Sequence, residues 1–389
     1  LLIHVFSQFK GSSIPGFDID TVWHHSMNVG LYARQIAKAE GFADKETGNA
    51  FMAGLLHDIG KLIFAENLKD TYCRAMELAQ NRQMPAIEAE YETIGMLGSN
   101  LGIADIQDVA QANLLCDELG IDTISAGSAI GWAMECFEKG ILTLEDTGGL
   151  DLRFGNVPAV FELLEAIAKR QGLGALLSQG VKAAAKQVGK GSEKFAIHVK
   201  GMEQSAYATH NATAMLLAYM TCDVGAHHNR SWAITYDLQV GRERVVPEKV
   251  ARIIWLQDFR PMFDVFGTCR LQWVELGIDR ELYVPALAAV TGVQRSWEEL
   301  EKVGARIWNL NRMFWIRENE GFGREWDLPA PRFYEEAPKT GVTAGQITRL
   351  EDVHKLLDMY YEQRGWSSNG IPTPATLEKL GLAELAQTL

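Results

Sequence analysis

Apolar residues recur at i, i+3 and i+4 along most of this chain. The pattern predicts amphipathic helices over 22–39, 46–64, 69–82, 106–119, 128–139, 157–171, 174–188, 212–221, 247–264 and 296–317. Strand-like alternation is rare, and short strands are expected only near 195–200. Clusters of Gly and Pro mark loops at 12–16, 146–149, 189–192, 329–331 and 370–374. The expected class is mainly α and multi-domain.

Composition narrows the class. A chain of 389 residues that is 47% hydrophobic and 22% charged can bury two or three cores. No apolar run reaches the roughly 18 residues that span a bilayer, and the apolar start at 1–6 is short and lacks a basic flank, so no membrane segment is expected. The chain opens with Leu1 inside an apolar segment, and an upstream part is expected. Net charge is −13 with the basic residues scattered, which disfavours nucleic acid. Five cysteines (Cys73, Cys116, Cys136, Cys222, Cys269) form no close pair, which fits a reducing cytoplasm better than a disulfide framework.

Two strings stand out early: Trp23-His24-His25-Ser26, and Gly54-Leu55-Leu56-His57-Asp58-Ile59-Gly60-Lys61. Adjacent His57 and Asp58 at a helix end can aim an imidazole and a carboxylate at one divalent ion, or simply cap the helix. The next histidine is His198, so a catalytic metal set is incomplete. With Arg74-Ala75-Met76-Glu77-Leu78-Ala79-Gln80, these strings resemble the HD-related output (HDOD) domain of bacterial signalling proteins over about 17–89. That resemblance implies a regulatory or interaction role, in a domain lacking its first and last helices.

Further along, one motif occurs twice. The helix over 106–119 runs into Asp117-Glu118-Leu119-Gly120-Ile121-Asp122, and the helix from Pro247 runs into Asp264-Val265-Phe266-Gly267-Thr268-Cys269. Gly after the last helical turn permits a left-handed cap, which turns the chain sharply and leaves groups beyond it facing a common space. Two such corners could hold two copies of one ligand. Asp-x-x-Gly is also an ordinary helix end.

The corners are embedded in a longer series of landmarks. They include Glu90-Tyr91-Glu92-Thr93, Leu152-Arg153-Phe154-Gly155-Asn156, His198-Val199-Lys200-Gly201-Met202-Glu203, Gly225-Ala226-His227-His228-Asn229-Arg230 and Tyr360-Tyr361-Glu362-Gln363-Arg364-Gly365-Trp366. In this order they resemble the aldehyde:ferredoxin oxidoreductase family, from about Glu90 to the end. The resemblance implies three segments: a partial output domain at 1–89 and two helical lobes at 90–198 and 199–389. It implies a tungsten (or molybdenum) bis-pterin and a [4Fe-4S] cluster, oxidation of an aldehyde to a carboxylate, and ferredoxin as electron acceptor. Asp117, Gly120 and Asp122 would grip one pterin and Asp264 and Gly267 the other, with Cys269 as a cluster ligand. Glu92 would exchange protons at the reacting carbonyl, and His228 or His227 would donate a hydrogen bond there.

The family takes three further cluster thiolates from an upstream Cys-x-x-Cys-x-x-x-Cys run, and here only Cys73 lies in that region. A missing N-terminal domain or a partner chain is therefore expected to complete the cage. Wording at 201–207 and 226–230 departs from the family's commonest form, so a catalytic subunit like that of benzoyl-CoA reductase stays open. So does a regulatory protein in which the His-Asp segment is the working part.

Overall fold

A computed structural model describes residues 18–56, 90–274 and 279–388. The chain divides into two compact units, Leu1–Glu88 and Ala89–Leu389. His57, Asp58, Cys73 and the helix expected over 69–82 lie outside the described residues.

In the first unit two helices, Ile19–Ala39 and Asp44–Leu56, pack as a pair. Asp18 caps the first, accepting from the amides of Asp20 and Thr21 at 3.1 and 3.2 Å and from the Thr21 hydroxyl at 2.6 Å. The helices touch at Gly30 and Gly54, where a Cβ on Gly54 would lie 2.7 Å from the Gly30 Cα. Only glycine allows backbones this close.

Among its described residues the second unit is mainly helical, with one two-stranded hairpin. Its first core gathers Leu97, Leu101, Ile130, Leu163, Leu164 and Val181, all fully buried, around the helix Thr123–Glu138. That helix is buried on nearly every face because small residues line it. Any Cβ at Gly127 or Gly131 would meet the Met96 carbonyl or the Asn100 amide at 2.5 Å. The Tyr91–Leu101 segment lies in this shallow trough, fixed by Asn100 Nδ2 donating to the Gly127 carbonyl (2.9 Å) and by the Thr93–Thr123 hydroxyl contact (2.9 Å). It passes through an α turn, a π turn at Ile94–Gly98 and a 3-10 turn at Ser99–Leu101. Irregular turns of this kind often serve to aim a side chain; here the segment carries Glu92.

The second core is built on Thr213–Met220, every residue of which is buried, and on Pro247–Phe259, Trp297–Glu318 and Leu350–Arg364. A smaller aromatic core joins Phe259, Phe263, Tyr283 and Trp297. The hairpin pairs His198–Val199 with Met202–Glu203, and both turn residues, Lys200 (φ 56) and Gly201 (φ 94), are left-handed as a two-residue turn requires. Lys200 is held there by Asp327 at 2.7 Å and by the Met220 carbonyl at 2.8 Å. Arg312 clasps the same carboxylate through both Nη atoms, at 2.8 and 2.7 Å. These partners pull the Asp327 carboxyl down to about 2 against its burial.

Several helices match the periodicity, and Ile106–Leu119 does so residue for residue. Two expected helices are each broken. The helix over 174–188 splits into Leu173–Leu177 and Val181–Val188 at Gly180 (φ 85). The helix from Pro247 stops at Phe259 and restarts as Pro261–Phe266, because Pro261 has no N–H to continue the ladder. Helices Ile234–Val240, Tyr283–Thr291 and Leu350–Arg364 were not anticipated.

Candidate active site

Glu92 is almost fully buried, at 2% exposure. Its Oε2 accepts the Ala206 backbone amide at 3.1 Å, a contact across 114 residues of chain. Its Oε1 lies 3.3 Å from His228 Nε2. The other imidazole nitrogen, Nδ1, meets Ser205 Oγ at 3.1 Å, and that hydroxyl meets the Tyr219 hydroxyl at 2.7 Å. The Tyr207 ring packs on both Tyr91 and His228, with centroids 5.5 and 5.6 Å apart. The hairpin thus delivers Ser205, Ala206 and Tyr207 to one spot, and the Tyr91–Leu101 segment delivers Glu92 to the same spot.

The separation of Glu92 and His228 is that of an ion pair, but their surroundings oppose charge on either. Burial raises the Glu92 carboxyl above its ordinary range, partly offset by the Ala206 amide and the Tyr207 hydroxyl. Burial, with help from His227, Arg270 and Arg260, brings the His228 imidazole down to about 3. Both shifts favour the uncharged forms, so near neutrality His228 is neutral and Glu92 is eased toward holding a proton. The two groups lie close enough, at 3.3 Å, to pass a proton between them. Passing a proton from one partner to the other leaves the net charge of the buried pair unchanged.

His227 faces elsewhere. Its Nδ1 accepts from the Asn229 amide at 3.1 Å and so caps the 3-10 turn His228–Arg230. It lines a second cavity of about 430 Å³ with Arg230, Arg260, Arg270, Asp264, Thr268 and Cys269. Arg230 is gripped by Asp223 through Nε (2.9 Å) and Nη2 (2.6 Å), and it reaches Asp264 through Nη1 at 2.5 Å. Arg260 donates to the Asn229 carbonyl at 2.8 Å, and Arg270 contacts the Asn229 side chain. Burial and the neighbouring guanidiniums of Arg270 and Arg252 bring Arg260 down to about 9, the mark of an under-compensated positive charge.

The two Asp-x-x-Gly corners have the same backbone. Gly120 and Gly267 are left-handed (φ 68 and 66), and their amides bond the Asp117 and Asp264 carbonyls at 3.3 and 3.0 Å. The next amides, Ile121 and Thr268, reach back to the Cys116 and Phe263 carbonyls at 2.9 Å in both cases. This is the double bond of a Schellman cap. The side chains differ. Asp117 accepts from Asn113 at 3.2 Å, and Asp122 caps the next helix through the Ser125 amide at 2.7 Å, while Asp264 is held by Arg230.

The residues at the second corner fit an anionic, polar group such as a pterin with its phosphate. Arg260 Nε and Thr268 Oγ1 are buried there without a hydrogen-bond partner, beside three guanidiniums. A four-thiolate cluster does not fit the described residues. Cys116, Cys136 and Cys222 are buried and unpaired, Cys269 is exposed, and among the described residues no three His, Cys, Asp or Glu come together where they could hold a metal ion.

Another, larger cavity, of about 610 Å³, opens against Ser205, Ala206 and Tyr207. The sequence pattern did not single out Ser205, Tyr219, Arg260 or this cavity. Arg260 was detectable in principle, as a lone charge inside the apolar string Phe259-Arg260-Pro261-Met262-Phe263.

The family described as "Aldehyde ferredoxin oxidoreductase, domains 2 & 3" matches residues 71–382. The chain belongs to this family. The HDOD domain family matches residues 1–107. Tungsten-containing aldehyde ferredoxin oxidoreductases of Pyrococcus furiosus and Thermococcus kodakarensis are each 35% identical over 301 residues, which is 76% of this chain and 48% of theirs. The "Aliphatic sulfonate oxidoreductase, WOR-like subunit" of Pyrococcus furiosus is 30% identical over 304 residues, covering 76% of this chain and 46% of that one. The active-site complex of benzoyl-coenzyme A reductase with 1,5-dienoyl-CoA shares the fold, with a TM-score of 0.58 at 22% identity over 77% of this chain and 49% of that one. The chain thus spans about half the length of the relatives it matches. Within the described residues no helix is long and apolar enough to cross a membrane.

Proposed function

We propose that this chain forms the proton-handling and pterin-facing half of a tungsten-pterin oxidoreductase that converts an aldehyde to a carboxylate. The observation that carries the reading is the buried Glu92–His228 pair, 3.3 Å apart and tied to the Ala206 amide and to Ser205. When bound, a tungsten bis-pterin supplies the two-electron oxidation, which protein side chains cannot perform. Glu92, in its ionised form, takes a proton at Oε1 or Oε2 as the carbonyl carbon is oxidised. His228, with Nδ1 held by Ser205, offers Nε2–H to a developing oxyanion.

At the second corner Arg260 and Thr268 would hold the pterin's polar edge, with Arg230 and Asp264 framing it. The Gly120 corner, with Asp117 and Asp122, would hold the other pterin. Ferredoxin is the proposed electron acceptor, and a [4Fe-4S] cluster would need thiolates beyond the described residues, from an N-terminal domain or a partner chain. The four described cysteines are all unpaired, which suits a reducing cytoplasm.

The test is the full chain, co-expressed with the pterin-covering half of a tungsten relative in a host that makes the cofactor. The complex should carry tungsten and reduce viologen with aldehyde, whereas the chain alone should retain little tungsten or iron. Near-stoichiometric metal in the isolated chain, or full activity in a tungsten-loaded Glu92→Gln complex, overturns the reading.

A second reading rests on the HDOD match over 1–107. In it, the N-terminal segment recruits a partner and the oxidoreductase-type unit is a non-catalytic scaffold. It expects partner capture that survives Glu92→Gln and an absence of aldehyde-dependent electron transfer in every assembly.

A further inference from the structure

The cavity of about 610 Å³ beside the Glu92–His228 pair has a distinct chemistry. Its walls are aromatic: Tyr91, Trp132, Phe154, Phe195, Tyr207 and Phe333. Gly95 and Gly131 let Ala206 and Asn100 approach closely on the same wall, since a Cβ at either glycine would run into those side chains. The volume lies in the range that encloses a ligand of one or two rings. Ala206 lines this cavity, and its amide is the one that holds Glu92, so the cavity wall at that residue lies one hydrogen bond from the proton-handling pair.

Arg332, Gln204 and Asn100 on the cavity wall are already committed, whereas the buried His210 Nδ1 has no hydrogen-bond partner. Arg332 spends its fork on Glu135, Nη1 to Oε2 at 2.7 Å and Nη2 to Oε1, and its Nε donates to Glu336 at 3.2 Å. Gln204 donates to the Tyr207 carbonyl at 2.8 Å and Asn100 to that of Gly127 at 2.9 Å. The one guanidinium on the described wall is thus committed, burial holds the His210 imidazole away from charge, and a carboxylate-bearing substrate entering this cavity would lose hydration without a free cation to replace it.

We infer that this cavity selects a neutral aldehyde carried on an aromatic ring, with the ring held among Trp132, Phe195 and Tyr207 and the carbonyl directed to Ala206 and Glu92. Its chemistry rests on the oxidoreductase reading above, but its binding does not, because all the lining residues belong to this chain. An aromatic guest gains ring-on-ring contacts that a saturated ring of the same size cannot make.

The experiment is a saturation-transfer NMR titration of the full chain with three probes: benzaldehyde, cyclohexanecarbaldehyde and succinic semialdehyde. Benzaldehyde should bind about five-fold more tightly than its saturated counterpart, and succinic semialdehyde should give no saturable signal. Ala208→Trp, at an exposed position on the cavity wall, should abolish benzaldehyde binding with an unchanged melting temperature. If that variant fails to fold, Phe154→Ala, at a 41% exposed wall position, should weaken benzaldehyde at least about three-fold and leave cyclohexanecarbaldehyde unchanged. Glu135→Gln should release Arg332 and admit succinic semialdehyde. Equal affinity for the two cyclic aldehydes, binding of succinic semialdehyde to the unaltered chain, or indifference to both wall substitutions overturns the inference. Aromatic binding without aldehyde oxidation in the loaded complex overturns the function and leaves the cavity's selectivity standing.

Discussion

His228 Nε2 lies 3.3 Å from Glu92 Oε1, and the surroundings of the two groups discourage charge on either. Glu92→Gln keeps the shape and an oxygen for the Ala206 amide but removes the titrating group. Stability should change by less than about 1 kcal/mol. In the tungsten-loaded complex kcat should fall by about 10²-fold or more, since proton transfer by a positioned side chain is worth that much. Chemical denaturation and steady-state viologen reduction check the two halves of the statement.

Acid should unfold this chain through its histidines. The folded-state pKa of His228 is about 3 against 6.5 for a free imidazole, so its contribution is present above pH 6.5 and is lost as pH falls toward 3. By pH 4.5 the loss should amount to roughly 2–3 kcal/mol. His198, brought down to about 4 by burial, acts in the same window. Glu92 acts oppositely, because its raised pKa favours the fold at low pH and that advantage is lost as pH rises through the folded value. Melting curves from pH 7 to 4 should fall steeply for the unaltered chain and less steeply for His228→Gln.

Ser205 links His228 Nδ1 to Tyr219 in a buried place. Ser205→Ala would strand both partners, and the cost should be about 1–3 kcal/mol in urea unfolding. It should also move the nitrogen chemical shifts of His228, because the group that fixes the imidazole tautomer is gone. Unchanged shifts with lowered stability would leave Ser205 a packing residue only.

Gly120 and Gly267 share one backbone conformation, and open space surrounds the position of an added Cβ at each. Alanine at either corner should therefore cost only the left-handed penalty, about 1–2 kcal/mol, and nearly the same at both. A large inequality in denaturation would show that one corner carries tertiary strain not visible in its contacts.

Sequence periodicity revealed the mainly helical class because the helices bury one stripe each, and it located Ile106–Leu119 because that stripe is bounded by Asp105 and Gly120. It ran through Pro261 and Gly180 because apolar spacing continues across both, although the backbone cannot follow. Leu350–Arg364 shows the reverse. Val353, Leu356, Leu357, Tyr360, Tyr361 and Arg364 form a helical stripe, yet the charged residues between them hide it. Family membership was legible from the order of landmarks. The meeting of Glu92 with Ser205, Ala206 and His228 was not legible from local pattern, because it depends on a trough of glycines on one helix and on the turn of a distant hairpin.

The strongest fixed hold on Glu92 is a main-chain amide, not a side chain. Ordinary replacement at position 206 leaves that donor in place, and among the standard residues only proline removes it. The acidity of the glutamate is thus inherited through the path of the backbone rather than through the identity of its neighbour. A lineage could diversify residue 206, and with it part of the cavity wall, while this hold on the proton-handling carboxyl stayed in place. An insertion in the Lys200–Gly201 turn would detune it at once.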